Sequence, residues 1–156
     1  KSAEWIIKYA QRKQVRRSHI IIDEDGVGGG VVDQIEGSVG FINNSQAIQP
    51  DEAKRDKTKH VNYANLKTQC YFKMAQLAEE GKIGIDEPTE IQIKHLLIEE
   101  LEQIKQKDVD KDNKISLVDK DKIKENIGRS PDIADALMFR MYFEIDTRPV
   151  PKVTSL

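Results

Sequence analysis

The sequence predicts an α/β fold, a central and mostly parallel sheet flanked by helices, and three observations carry that prediction. The run His19-Ile20-Ile21-Ile22 is short, apolar and β-branched, which suits a strand buried on both faces. A glycine-rich turn, a short apolar stretch at residues 31–35 and a second strand-like run, Val39-Gly40-Phe41-Ile42, follow it. Together they make a strand–loop–helix–strand unit, the building block of a parallel sheet. Much of the remaining chain carries apolar residues at helical spacing.

Taken in order, Ser2 with Glu4 behind it reads as the N-cap and acidic first turn of a helix bearing Trp5, Ile6, Tyr9 and Ala10. Residues 43–61 are polar and without period, as in an exposed loop. A helix is expected from Asn65 to Glu80, stopped by Gly81, with residues 82–85 a short strand or turn. A long helix over residues 89–107 should bury Ile91, Ile93, Leu96, Leu97, Leu101 and Ile104. Residues 114–118 fit a strand and residues 120–126 a short basic helix ended by Ile127-Gly128. Ser130-Pro131 opens a last helix running to about Phe143. Residues 1–147 form one domain in this reading, and residues 148–156 a flexible tail.

Composition narrows the class without fixing it. A net charge of −2 argues against a protein that coats nucleic acid through positive potential alone, but not against local binding. The longest apolar runs, residues 20–22 and 134–139, are too short to cross a bilayer, so no membrane partner is expected. The single cysteine, Cys70, has no internal partner and lies beside Tyr71 and Phe72, which suits a buried, inert thiol in a reducing cytoplasm.

Three carboxylates stand out by position. Asp23 closes the first strand, where parallel sheets place ligands and catalytic groups. Asp132 and Asp135 open the last helix, three residues apart and nearly on one face. If the helix mouth lies over the strand end, the three converge and call for a divalent cation. Their hard oxygens favour Mg²⁺ or Mn²⁺ over zinc. Two such ions roughly 4 Å apart can drive phosphodiester hydrolysis. The alternative is structural: an aspartate in a first helical turn serves the helix dipole, and one after a strand is often a turn residue.

The segment Ile21-Ile22-Asp23-Glu24-Asp25-Gly26-Val27-Gly28-Gly29-Gly30-Val31-Val32-Asp33 resembles the strand-and-glycine signature of phage terminase large-subunit nuclease domains. Lys120-Asp121-Lys122-Ile123-Lys124, followed by Gly128-Arg129-Ser130-Pro131-Asp132-Ile133-Ala134-Asp135-Ala136-Leu137, is similar to the ending of that family. The resemblance implies a ribonuclease-H-like endonuclease that cuts concatemeric double-stranded DNA during genome packaging. It would use Mg²⁺ or Mn²⁺ in the host cytoplasm, alongside a terminase ATPase domain, a small subunit and a portal. It matches Asp23 to the acid after a central strand, and Asp132 or Asp135 to the acid opening the final helix. Asp132 is favoured as closer to the helix mouth, with Asp135 a second ligand or a carboxylate that orients one. The family's first catalytic aspartate lies on an opening strand that this chain does not contain. The chain is therefore expected to be a fragment of such a domain, inactive alone or reduced to a docking role.

Gly26, Gly28, Gly29 and Gly30 miss the dinucleotide spacing and suit a sharp turn that lets a DNA phosphate approach the helix amides. Asp108, Asp110, Asp112, Lys114 and Asp119 fall at ligand positions of an EF-hand-like loop, an alternative that would bind Ca²⁺. In that loop Asn113 stands at the sharp-turn position that glycine normally occupies. Arg16, Arg17, Lys120, Lys122 and Arg129 are the candidate phosphate contacts.

Overall fold

The computed structural model describes residues 1–25, 28–51, 53, 56, 58, 60–85, 90–107 and 113–145. Helix α1 spans Ser2–Arg12. Its N-cap is Lys1 rather than Ser2, which lies in the first turn, and no side chain caps the helix. Ala3, Ile6, Ile7 and Ala10 face inward onto Ile20, Ile22, Val31 and Ile35, a small core of its own.

Strand β1 is Ile21–Asp23, two residues later than the apolar run suggests. The amides of His19 and Ile20 bond back to the carbonyls of Arg16 and Arg17 at 2.9 Å, so a 3₁₀ turn takes the start of the run. The strand is half-buried, not buried on both faces. A single helical turn, α2 (Gly29–Val32), leads to β2 (Val39–Phe41). The two strands are parallel, with Ile21 opposite Val39, Ile22 opposite Gly40 and Asp23 opposite Phe41. Among the described residues this pair is the whole sheet, smaller than the sequence suggests.

The polar stretch after β2 is tied down more firmly than an exposed loop. Gln69 exchanges two 2.8 Å hydrogen bonds with the backbone of Ile48. The Ser45 carbonyl accepts from Leu66 N at 2.7 Å. Helix α3, Leu66–Glu79, begins as expected, with the Asn65 side chain accepting from Thr68 N at 2.8 Å. Gly81 follows its end at φ +66°. Helix α4, Ile91–Gln103, is shorter than predicted because Ile104 is already extended. Its inward face is Leu97, Glu100 and Leu101, continued by Ile104, whereas Ile91, Ile93 and Leu96 are exposed. The buried positions follow the i, i+3, i+4, i+7 rule, and the earlier isoleucines project past the core.

Residues 114–118 form isolated bridges instead of a strand: Gln106 pairs antiparallel with Leu117, and Ile115 parallel with Tyr63. Helix α5, Lys120–Ile127, ends at Gly128 in the left-handed region, φ +73°. The last predicted helix is broken at Met141 into α6, Asp132–Arg140, and a single turn α7, Tyr142–Ile145. The main core gathers Phe41, Leu66, Cys70, Tyr71, Leu97, Ala134, Met138 and Met141. Phe41 packs on Phe139 with ring centroids 4.7 Å apart, which docks α6 onto β2. Among the described residues no helix is long and apolar enough to cross a membrane. The tail from residue 148 lies outside the described residues.

Candidate functional site

The carboxyl ends of β1 and β2 open onto a cleft of about 600 Å³. Its acidic wall follows from the strand register. Asp23 lies opposite Phe41, so continuing the parallel pairing by two residues brings Asp25 beside Asn43. The Asn43 side-chain amide donates to Asp25 Oδ2 at 2.6 Å and to Asp23 Oδ1 at 3.2 Å. The Asn43 and Asp25 backbone amides add 3.1 Å bonds to Asp25 Oδ2 and Asp23 Oδ1. With its amide nitrogen committed to two carboxylates, Asn43 Oδ1 is buried without a hydrogen-bond partner among the described residues. An unpaired buried oxygen is costly.

Behind the opposite wall, one turn inside α6, lies Asp135, bonded to residues that line the cleft. Lys67 Nζ lies 2.7 Å from its Oδ1 and 2.9 Å from its Oδ2, and the Tyr71 hydroxyl donates to Oδ1 at 2.6 Å. Lys120 Nζ stands 3.7 Å from Oδ2. Lys67 and Tyr71 are four apart on α3, so they share a helix face, and both line the cleft with Asp23. Burial, reinforced by the Asp135 charge it bonds to and by Glu100, pushes the Tyr71 phenol well above its ordinary pKa, so it stays a donor. Neighbouring Cys70 is fully buried, and burial alone pushes its thiol up to about 12, in keeping with an inert side chain.

The mouth of α6 is fixed from behind. Glu100 on α4 is almost wholly buried; its Oε2 accepts from Ala134 N at 2.8 Å, and its Oε1 is ion-paired with Arg129. Arg129 also binds Glu99 at 2.6 Å. A buried carboxylate thereby caps an orphan amide in the first turn, where the helix dipole favours negative charge.

The expected site residues fall in different surroundings. Asp132, favoured over Asp135, is exposed, while Asp135 is buried against the cleft's lysines. The reason is packing: Ala134 and Met138 turn inward, which carries Asp135 with them and leaves Asp132 outside. Arg129, expected on DNA phosphates, has its guanidinium engaged by two glutamates. Lys120 lines the cleft, whereas Arg16, Arg17 and Lys122 are exposed outside its lining. In the glycine loop, Gly26 lies outside the described residues. A Cβ on Gly28 would lie 1.5 Å from the Asp23 carbonyl oxygen, so this glycine permits close packing on β1. Gly29 has only loose neighbours around a Cβ, and Gly30 none.

In the EF-hand-like loop, Asp108, Asp110 and Asp112 lie outside the described residues. Asn113 takes the left-handed conformation, φ +54°, that its position demands. The flanks, however, form a hairpin: Lys107 N donates to Ser116 O, and Val118 N to Lys105 O, each at 2.9 Å. Asp119 therefore follows three residues behind the rung that closes the loop, about 10 Å along an extended chain. It pairs with Lys107 at 2.5 Å and faces the cleft. Lys114 is exposed.

Sequence reasoning missed Asp25, Asn43, Lys67, Tyr71 and Glu100. Asn43 was within reach once the two strands were paired, and the Lys67–Tyr71 spacing was visible on α3. Among the described residues, no three His, Cys, Asp or Glu side chains are gathered as a ready-made ligand set.

These features define a mixed α/β domain whose small parallel sheet opens at its strand ends onto a cleft walled by aspartates and lysines, and this is the fold of phage large-terminase nuclease domains. The particular structures it resembles are of gp2 of bacterial virus Sf6. A lysine-to-alanine variant of the nuclease domain of that large terminase subunit, solved with manganese, matches with a TM-score of 0.67 at 24% identity, over 89% of this chain and 71% of that one. The unsubstituted nuclease domain matches at 0.64 and 24%, over 89% and 70%. A lysine-to-alanine variant solved with calcium matches at 0.63 and 23%, over the same shares. No protein-family model matches the chain, and no curated protein matches it in sequence.

Proposed function

We propose that this chain is part of a ribonuclease-H-like endonuclease domain of a phage DNA-packaging terminase, hydrolysing phosphodiester bonds of double-stranded DNA with Mg²⁺ or Mn²⁺. The observation that carries the reading is the shared cleft: Asp23 lines it, and so do Lys67 and Tyr71, the two groups that hold Asp135. The fold likeness supports the same reading.

The donor set fits a hard divalent cation. Asp23 and Asp25 would hold it at the strand ends, with Asp135 behind Lys67 and Tyr71 as the further carboxylate. When bound, such a cation supplies Lewis acidity to the phosphodiester and makes water a stronger nucleophile. The chain's own groups do the rest. Lys67 and Tyr71 fix the Asp135 carboxylate in one orientation. Lys120, half-exposed at the rim, is placed to meet a phosphate oxygen. Asp135, rather than Asp132, takes the role of the acid at the final helix, because it alone of the two is buried and bonded to the cleft residues Lys67 and Tyr71. An ATPase domain, a small subunit, a portal and the host cytoplasm complete the setting in which such a domain would work.

The test is nicking of supercoiled plasmid by the full-length protein with Mn²⁺. Asp23→Asn and Asp135→Asn are expected to abolish it while Asp132→Asn retains it. Undiminished nicking in the first two variants would overturn the assignment, and a wild-type protein that binds DNA without cutting it would leave only a docking role.

A further inference from the structure

The outward face of α1 is not explained by the cleft. Trp5 is 65% exposed and Tyr9 42%, although large aromatic side chains ordinarily bury most of their surface. The two rings are stacked, with centroids 5.2 Å apart and planes 13° from parallel, and the Arg12 guanidinium lies over Tyr9 at 5.0 Å. Residues 5, 9 and 12 follow the i, i+4, i+7 positions of one helix face, opposite the Ala3, Ile6, Ile7 and Ala10 face that enters the core. A column of indole, phenol and guanidinium is thus prebuilt on the surface.

Its surroundings are cationic. In the first 19 residues Lys1, Lys8, Arg12, Lys13, Arg16 and Arg17 stand against Glu4 alone, in a chain whose net charge is −2. Lysine is depleted from the cores of protein–protein interfaces, and a second copy of this face would meet it with like charge. A flat π-surface bordered by cations instead fits a polymer of flat bases on a phosphate chain.

We infer that the Trp5–Tyr9–Arg12 face of α1 is a contact surface for unpaired DNA, with a base stacking on Trp5 and the backbone phosphates meeting the cations of residues 8–17. The inference rests on the nuclease reading only for the choice of DNA over RNA. It uses none of the cleft residues.

Trp5 is the only tryptophan of these 156 residues, and the difference in emission between wild type and Trp5→Phe reports on this face. The full-length protein is titrated with single-stranded oligothymidylate in EDTA, where no metal-dependent cutting takes place. Saturable quenching is expected, weaker with a blunt duplex of equal length. In anisotropy titrations with labelled oligothymidylate, Trp5→Ala should weaken binding at least about fivefold and Trp5→Phe far less. Arg16→Ala with Arg17→Ala should flatten the salt dependence. Binding without a change in Trp5 emission, equal affinity for Trp5→Ala and wild type, equal quenching by the duplex, or no binding would each overturn the inference. Loss of plasmid nicking with quenching intact would count against the nuclease reading alone.

Discussion

Lys67 holds Asp135 by both carboxylate oxygens, at 2.7 and 2.9 Å, across 68 residues of sequence. The lysine is 19% and the aspartate 10% exposed, so the pair is shielded from water and its loss leaves a buried charge. Without metal, Lys67→Met should lower stability by about 2 kcal/mol or more in urea unfolding. The ammonium also opposes a second positive charge at Asp135. The same variant should therefore gain more thermal stability from added Mn²⁺ than wild type does. An equal or smaller gain would mean that the lysine does not compete with the cation.

Tyr71 supplies the other bond to Asp135, and its phenol is raised by burial and by that carboxylate. Tyr71→Phe should cost about 1.5–3 kcal/mol, the range for a hydrogen bond to a charged group. The pH dependence follows from the same shift. A raised pKa means that the folded state keeps the proton after the unfolded chain has lost it. The stabilisation is then complete below the unfolded values, near 9 for Cys70 and 10 for Tyr71, and declines as pH rises beyond them. Melting temperature measured from pH 8 to 11 should be level at first and then fall. Tyr71→Phe should flatten part of that fall.

Arg129 neutralises Glu100, which in turn caps Ala134 N, so its role is to set the mouth of α6. Arg129→Ala should lower the melting temperature by roughly 5 °C or more while leaving the salt dependence of DNA binding unchanged. A reduced salt slope with unaltered melting would return Arg129 to the phosphate contacts.

Gly28 and Gly30 lie in one loop but differ in consequence. A methyl on Gly28 would collide with the Asp23 carbonyl, whereas one on Gly30 meets nothing within 4 Å. Gly28→Ala should destabilise the fold and displace Asp23, and Gly30→Ala should be tolerated. Circular dichroism melts of the two variants separate the cases.

Local signals were the legible ones. Asn65 as a cap, Gly81 and Gly128 as helix stops, and the strand–turn–strand order around Asp23 all follow from residues within a few positions of one another. What the sequence hid was decided at long range. The inward face of α4 was set by Glu100 reaching Arg129 and Ala134, not by the density of its isoleucines. Asp132 and Asp135 were indistinguishable by spacing, and only the packing of Ala134 and Met138 into the core separated them. Asn43 acquired its place through strand register, and Lys67 through the docking of α3 on α6, neither of which leaves a local pattern.

The most direct measurement of whether Asp23 and Asp135 act on one cation is Mn²⁺ binding followed by electron paramagnetic resonance in wild type, Asp23→Asn, Asp135→Asn and the double variant. A shared site predicts that each single variant weakens Mn²⁺ binding strongly and that the double variant is little worse than either. Single variants that bind as wild type does, or losses that simply add, would contradict convergence of Asp23 and Asp135 on one ion.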